Sequence, residues 1–477
     1  MSIQLNMHKT RSGGLKVNRL RPQPVKKRKP IWYRILQIVF LVFAGLALFK
    51  GGQMFVQTSQ VLGDIGYKFS MPSITKEPRL KTDSTGKYTN VLVVGMDKRG
   101  ENSGLENTDS IIIASYNYDT NNIVMISIPR DTMVMDENGY WHKINSIYST
   151  AEHAQPGSGM SVLKDYVEDY TGLEIQYWGL IDLNGFREII DTIGGVDIDV
   201  ENKFVDNNFP NEWDNGYITV EFEAGLQHMD GETALQYARS RHAQITFPGY
   251  EFEGSDFARA RRQQKVIDAV RAKLLSTDGL LSTSKFNEIL GNIRDNIQLS
   301  TFNTNDVQAA ISLIKKTRDA NTYSFVLDPS IGGLNRIITT NVPIDGYAIA
   351  PSAGIGNTDE IHEFVRALLE NPAMYSENAS IRVYDIGVGY TNGFEITQQL
   401  QDENPYLDIV YMGTLRSDQE NSYVYTNSSK DTVQTRNFIA DQLQVANRYK
   451  PNFIMSTLNS EDVSVLLGSD RLDSNTQ

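Results

Sequence analysis

A run of nineteen residues from Ile31 to Phe49 carries one charge, Arg34, near its start. As a helix it would be about 29 Å long, close to the hydrocarbon thickness of a bilayer. Arg34 can snorkel toward the headgroups, and Trp32 and Tyr33 suit the interface. The basic cluster Lys26-Lys27-Arg28-Lys29 precedes the run, and the positive-inside rule keeps such a cluster in the cytoplasm. The alternative is a cleaved signal peptide. Against it, the apolar stretch is long and no Ala-x-Ala site follows. The chain therefore reads as a signal-anchored protein of the cell membrane. Residues 1–30 form a basic cytoplasmic tail, 31–49 a single transmembrane helix, and 50–87 a juxtamembrane linker, with everything beyond extracellular.

Charge follows the same division. The net charge is −13, but residues 1–34 hold ten Lys or Arg and no acid. The rest carries 35 basic against 58 acidic residues, a net of −23. A basic tail beside a span reports topology and contact with anionic lipid, so nucleic acid is not an expected partner. There is no cysteine, which excludes disulfides, thiolate metal sites and a cysteine nucleophile. A 40% apolar share of 477 residues supports a folded chain of two or three domains.

From Asn90 onward, short β-branched runs alternate with amphipathic stretches. Asn90–Val94, Ile111–Tyr116 and Ile123–Ile128 read as strands buried on both faces. Val162–Tyr170 reads as a helix, Tyr177–Asp182 as a strand, Asn184–Ile193 as a helix and Val196–Val200 as a strand. Gly231–Arg239 and Asp256–Leu275 read as helices. Helical patterns continue at 282–293, 304–316 and 360–369, with a strand at 323–327. This interleaving predicts an α/β fold: an α-β-α layered domain around one sheet, over residues 88–375. A smaller α/β unit is expected over 379–470, starting with the strand at Ile381 and ending with Val463–Leu467.

Two aspartates stand at strand ends. Asp97 closes Asn90-Val-Leu-Val-Val-Gly-Met-Asp97, and Asp109 opens the following run. In open sheets ligands gather where strands end, and two carboxylates with water suit Mg²⁺. The same residues are also common turn and strand caps. Arg130 follows Ser127-Ile-Pro129, where proline stops the strand; it reads either as a ligand contact or as half of a pair with Asp131. Arg239 and Arg241 end Gly231-Glu-Thr-Ala-Leu-Gln-Tyr-Ala-Arg239-Ser-Arg241. Arg259, Arg262 and Gln263, at i, i+3 and i+4, are expected on one helical face. A solvated charged face would give such a run, but the arginine fork also suits phosphate oxygens. There is no phosphate-binding Gly-x-x-x-x-Gly-Lys loop, no His-Glu-x-x-His and no Gly-x-Ser-x-Gly.

These motifs, in this order, resemble the LytR-CpsA-Psr family of cell-wall proteins. The matching pieces are Val91-Leu-Val-Val-Gly-Met-Asp97-Lys-Arg99, Thr108-Asp109-Ser-Ile, Ile126-Ser-Ile-Pro-Arg130-Asp131 and Lys143-Ile-Asn145. They continue with Gly194-Gly-Val-Asp-Ile-Asp-Val200, the Gly231–Arg241 segment and Arg259-Ala-Arg-Arg-Gln-Gln264. The match is strong over 88–275, with core motifs from 90, and residues 379–470 resemble the LytR-type C-terminal domain of some members.

The resemblance implies a central mixed sheet and a Mg²⁺-dependent phosphotransferase. It would move a teichoic acid or capsular polysaccharide from a polyprenyl diphosphate lipid to peptidoglycan. It implies that Asp97 and Asp109 bind Mg²⁺, with Mn²⁺ as a substitute. It further implies that Arg99, Arg130, Arg239, Arg241, Arg259 and Gln263 hold phosphate, with Asp97, Asp109, Arg130, Arg239 and Arg241 as the catalytic set. Two departures stand out. Many members carry an arginine two residues before the second aspartate, where this chain has Asn107, and Arg99 or Lys98 is the expected compensation. An insert, His242–Ser255, separates the Arg-x-Arg pair from Arg259 and is expected to rim the pocket. The prenyl chain requires an apolar tunnel, for which the helices after Gly231 are the expected source. The competing readings are a regulator or scaffold that binds polyprenyl phosphate without turnover, and a lipid diphosphate hydrolase.

Overall fold

The computed structural model describes residues 79–98, 106–211, 216–243, 252–276, 296–300, 320–329, 332–416, 420–426, 432–447 and 461–475, with Ala309, Leu313 and Lys316. The chain divides into Met1–Ile31 and Trp32–Gln477, and all described residues belong to the second unit. The expected span Ile31–Phe49, the linker up to residue 78, Arg99 and most of the expected helices 282–293 and 304–316 lie outside the described residues. Among the described residues, no helix is long and apolar enough to cross a membrane.

Three strands open the fold: β1 (Tyr88–Lys98), β2 (Glu106–Asn117) and β3 (Asn122–Ile128). They pair antiparallel in sequence order. Their centres are rich in Val and Ile because both faces are covered; Leu92, Val94, Ile111 and Ile113 pack on one side, Val91, Val93 and Ile112 on the other. Helices α1 (Ile147–Ala154) and α2 (Gly159–Thr171) follow. Leu163 and Val167 of α2, four residues apart, are both fully buried against the first face.

Strand β4 (Tyr177–Asp182) runs parallel to β1, and Asp182 caps helix α3 (Leu183–Thr192) by accepting from the Gly185 N–H. Next come β5 (Val196–Val200), β6 (Phe204–Pro210), β7 (Tyr217–Phe222) and β8 (Gly225–Met229). They pair as two small antiparallel ladders, β5 with β8 and β6 with β7. The last three were not expected: Asp and Asn in β6, Glu in β7, and Gln and His in β8 break up their apolar residues.

Helix α4 (Gly231–Arg239) is capped by Asp230, whose carboxylate accepts from the Thr233 N–H. Gly231 is required by close packing on α3, since a Cβ there would lie 2.4 Å from the carbonyl oxygen of Arg187. Helix α5 (Asp256–Ser276) starts at Ser255, whose hydroxyl accepts from the Ala258 N–H at 3.0 Å. Strands β9 (Ile297–Leu299) and β10 (Asn321–Val326) then join the two edges of the main sheet. The order is β9-β4-β1-β2-β3-β10, with β9 antiparallel to β4 and β10 parallel to β3. A six-stranded mixed sheet with helices on it is the α/β architecture read from the sequence.

Helix α6 (Asp359–Glu370) leads to a second, five-stranded sheet. Its members are β11 (Ser380–Asp385), β12 (Asp408–Thr414), β13 (Tyr423–Thr426), β14 (Ala446–Asn447) and β15 (Val463–Leu467). β11 lies between β12 and β15, parallel to both. A separate core of Ile381, Val383, Ile409, Val424, Ile439 and Val465 fills it. Phe364 of α6 meets Tyr406 ahead of β12, ring centroids 5.1 Å apart.

Candidate functional site

The site lies where β1 and β2 end. In their ladder Gly95 pairs with Ser110 and Met96 with Thr108, so Asp109 is an extra, unpaired residue. A bulge of this kind re-aims a side chain at the edge of a ladder. Asp97 pairs with Asn107, and Asp97 and Asp109 line the same pocket, about 100 Å³ in volume. The bulge takes Asp109 out of the regular pairing beside Asp97, a feature invisible to strand periodicity.

Arginines come to these acids from distant parts of the chain. Arg239, the last residue of α4, places Nη2 3.1 Å from Asp97 Oδ2. Its guanidinium also lies 5.7 Å from the centroid of Phe209. Arg130, just past β3, places Nη1 3.0 Å from Asp109 Oδ2 and Nε 3.3 Å from Asp131 Oδ2. The local Arg130–Asp131 pair is therefore present, and the same guanidinium also reaches Asp109. Arg259 Nη1 is 3.1 Å from Asp256 Oδ1, and Arg130 Nη2 is 3.6 Å from Asp256 Oδ2. Asp256 thus stands between two arginines in the first turn of α5, where the helix dipole favours an anion. Sequence reading missed it, although its i, i+3 spacing to Arg259 was visible.

Arg239, Arg241, Arg259 and Gln263 line the pocket with the two aspartates, and Arg130 lines the adjoining cavity with Asp109, Asp256 and Arg259. Arg259 is only 6% exposed. Burial pulls its pKa down, opposed by Asp256. For Arg130 burial acts in the same direction, but Asp109, Asp256 and Asp131 outweigh it and the pKa rises. Burial would raise the Asp131 pKa. The hydrogen bond from Lys143, 2.5 Å away, and the charge of Arg130 instead bring it below its ordinary value.

One expectation is corrected. Arg262 does not share the pocket with Arg259 and Gln263. At about 100° per residue, positions 262 and 263 fall on opposite sides of 259. Gln263 meets the pocket, while Arg262 turns away to the Tyr237 carbonyl, 2.9 Å distant, and to Glu253. Of the insert, His242 lines the pocket; residues 244–251 lie outside the described residues. Asn107, opposite Asp97, accepts a long hydrogen bond from the Ser149 hydroxyl at 3.5 Å. The compensation expected from Lys98 or Arg99 rests on side chains outside the described set.

The pocket adjoins an apolar cleft of about 140 Å³. Val93 and Ile112 form its floor, Phe186 and Ile189 of α3 one wall, Val266 and Ile267 of α5 the other. Gly95, Ser110, Ile181, Phe186 and Gln263 line both spaces. Of the helices that follow Gly231, α5 lines this cleft; the facing wall is α3, which precedes Gly231.

The LytR_cpsA_psr family model matches residues 57–328, more than half of the chain. The chain belongs to the LytR_cpsA_psr family. Among relatives of this LytR_cpsA_psr protein is the polyisoprenyl-teichoic acid–peptidoglycan teichoic acid transferase TagU of Enterococcus faecalis. It is 28% identical over 276 residues, covering 57% of this chain and 78% of the relative. The regulatory protein MsrR of Staphylococcus aureus is 31% identical over 211 residues, covering 43% of this chain and 56% of that one. The crystal structure of TagV from B. subtilis aligns over 60% of this chain and 98% of its own, at 23% identity and a TM-score of 0.42.

Proposed function

We propose that this protein is a membrane-anchored phosphotransferase that attaches a teichoic acid or capsular polysaccharide, carried on a polyprenyl diphosphate, to peptidoglycan. The observation that carries the reading is the wall shared by the arginine pocket and the apolar cleft. A ligand filling both has an anionic head and a hydrocarbon tail. The transferase names of relatives such as TagU support the cargo and the acceptor.

The chemistry is positioning and charge neutralisation. Arg130, Arg239, Arg241 and Arg259 take phosphate oxygens, and Gln263 stands at the junction of head and tail. A sugar hydroxyl of peptidoglycan attacks the phosphorus bearing the polymer. The bond from that phosphorus to the bridging oxygen breaks, prenyl monophosphate leaves, and a phosphodiester links polymer to wall. Asp109 accepts the hydroxyl proton. Asp97 and Asp109 are hard oxygen donors on one pocket, which fits Mg²⁺ or Mn²⁺ with water and substrate oxygens completing the shell. Among the described residues no group of three or more His, Asp or Glu offers a protein-only cage. Such an ion would neutralise phosphate charge. The basic tail and the Ile31–Phe49 anchor would hold the extracellular body near its lipid and raise the effective concentration. Residues 379–470 would be the LytR-type C-terminal domain.

A polyprenyl-phosphate-binding regulator without turnover is the second reading, favoured by the name of the MsrR relative. Mass spectrometry of lipid extracted from the purified full-length protein tests what both readings share. A prenyl phosphate in stoichiometric amount is expected; phospholipid alone would remove the basis of both.

A further inference from the structure

Arg239 ends α4 and Arg241 follows its C-cap residue, Ser240, at the end where a helix ordinarily frays. Here the segment is gripped from two sides. On one side stands Asp206 of β6, 1% exposed. Its Oδ2 accepts from the Ser240 hydroxyl at 2.6 Å, the Arg241 N–H at 3.1 Å and the His242 N–H at 3.1 Å. Its Oδ1 accepts from the Asn208 N–H at 3.0 Å. On the other side stands Arg262 of α5, 3% exposed. It donates to the carbonyls of Tyr237 at 2.9 Å and Glu253 at 3.0 Å, to the Ser240 carbonyl, and to the Glu253 carboxylate. Its guanidinium lies 4.8 Å from the centroid of Phe204, two residues before Asp206 on the same strand.

The division of labour is chemical. A carboxylate collects the N–H groups of the segment, and a guanidinium collects its carbonyls. Both are buried charged groups, and such groups are retained at a desolvation penalty unless fully hydrogen-bonded. The other end of α4 has its own cap at Asp230. The contacts of Asp206 and Arg262 converge on the residues between and beside the two arginines.

We infer that Asp206 and Arg262 are positioning residues that hold Arg239 and Arg241 at a fixed separation for phosphate, an inference that rests on the proposed lipid-phosphate site. Arg262 thus serves the site from behind rather than as a phosphate ligand. The brace fixes backbone, so its loss is felt by the phosphate head and not by the apolar tail.

Calorimetry on the full-length protein in detergent tests this with geranylgeranyl phosphate and geranylgeraniol as probes. The wild type is expected to prefer the phosphate. Asp206→Asn and Arg262→Lys should each weaken the phosphate about tenfold, the worth of a charge-assisted hydrogen-bond set. They should leave the alcohol within about twofold. In an Arg239→Ala/Arg241→Ala background, Asp206→Asn should add less than about twofold, since the side chains it positions are already gone. Equal losses for both probes, a full additional loss in that background, or unchanged phosphate binding would overturn the inference while leaving the site intact. A wild type without preference for phosphate would sink the reading of the site itself, and the inference with it. Should Asp206→Asn fail to fold, Ser240→Ala removes one of the four donors and must show the same selective loss for phosphate; loss for both probes overturns the inference.

Discussion

Arg239 Nη2 lies 3.1 Å from Asp97 Oδ2, joining positions 142 residues apart. The pair ties the end of β1 to the end of α4 and orients both groups at the pocket before any ligand arrives. Each is mostly buried, so the contact is less screened than a surface pair. If Arg239 also takes up charge on the transferred phosphate, Arg239→Ala should lower polymer transfer about 10²- to 10³-fold. Arg239→Lys should recover only part, since an ammonium cannot make two parallel contacts. Rates of phosphodiester formation on peptidoglycan by the purified variants measure both.

Asp256 separates the guanidinium groups of Arg130 and Arg259. Asp256→Ala leaves a buried arginine without its partner, which typically destabilises by about 3 kcal/mol or more. Inorganic phosphate should restore much of that loss by taking the place of the carboxylate, whereas the wild type should gain less. Urea unfolding with and without phosphate measures the difference. Equal stabilisation of both proteins by phosphate would show that Asp256 does not stand where the anion binds.

Much of this was legible in the sequence, and particular residues show why. Val196–Val200 is a strand with the predicted bounds because its apolar residues alternate cleanly with Asp197 and Asp199. Gly231–Arg239 has its predicted bounds because Asp230 caps it and its apolar face is regular. Strand β6 was missed because Asp206 and two asparagines fill its centre. Asp206 is polar there because it serves the Arg239–Arg241 segment, not the core. Arg130, Arg239, Arg241 and Arg259, singled out by type and order, line the pocket and the cavity beside it. Their partners were not singled out, since the pairing of Arg130 with Asp109 and Asp256 depends on how β3, the bulge and α5 meet. Arg262 was grouped with Gln263 because i+3 and i+4 both neighbour position 259, yet they fall on its opposite sides.

The Asp131 carboxylate is held below its ordinary pKa of 3.8 against burial by Lys143 and Arg130. A depressed carboxylate contributes stability that is present above its ordinary pKa and lost as pH falls through the folded value. The wild type should therefore lose stability below about pH 4. Asp131→Asn should be less stable at pH 7 and should show a shallower loss between about pH 4 and pH 2. Parallel acid profiles for the two proteins, followed by circular dichroism, would contradict the assignment.

Ile267 of α5 lines the apolar cleft and is half-buried. Ile267→Asn places an amide against the tail without touching the arginines. Removing the contacts of a branched apolar side chain should weaken binding of a long prenyl phosphate about tenfold or more. Binding of isopentenyl phosphate, too short to enter the cleft, should be unchanged. Competition titrations with the two ligands separate head from tail; equal losses would place the prenyl chain elsewhere.

The reaction proposed for the pocket is transfer of a phosphate-bearing polymer from lipid to wall. It is tested most directly by incubating the purified protein with a polyprenyl diphosphate-linked polymer, labelled at the polymer-proximal phosphorus, with and without peptidoglycan. The label is predicted on peptidoglycan as a phosphodiester, with one prenyl monophosphate released per bond and little release when peptidoglycan is left out. Equal release of free polymer phosphate with and without peptidoglycan would show a hydrolase, and no release in either case would leave a protein that binds its lipid without turning it over.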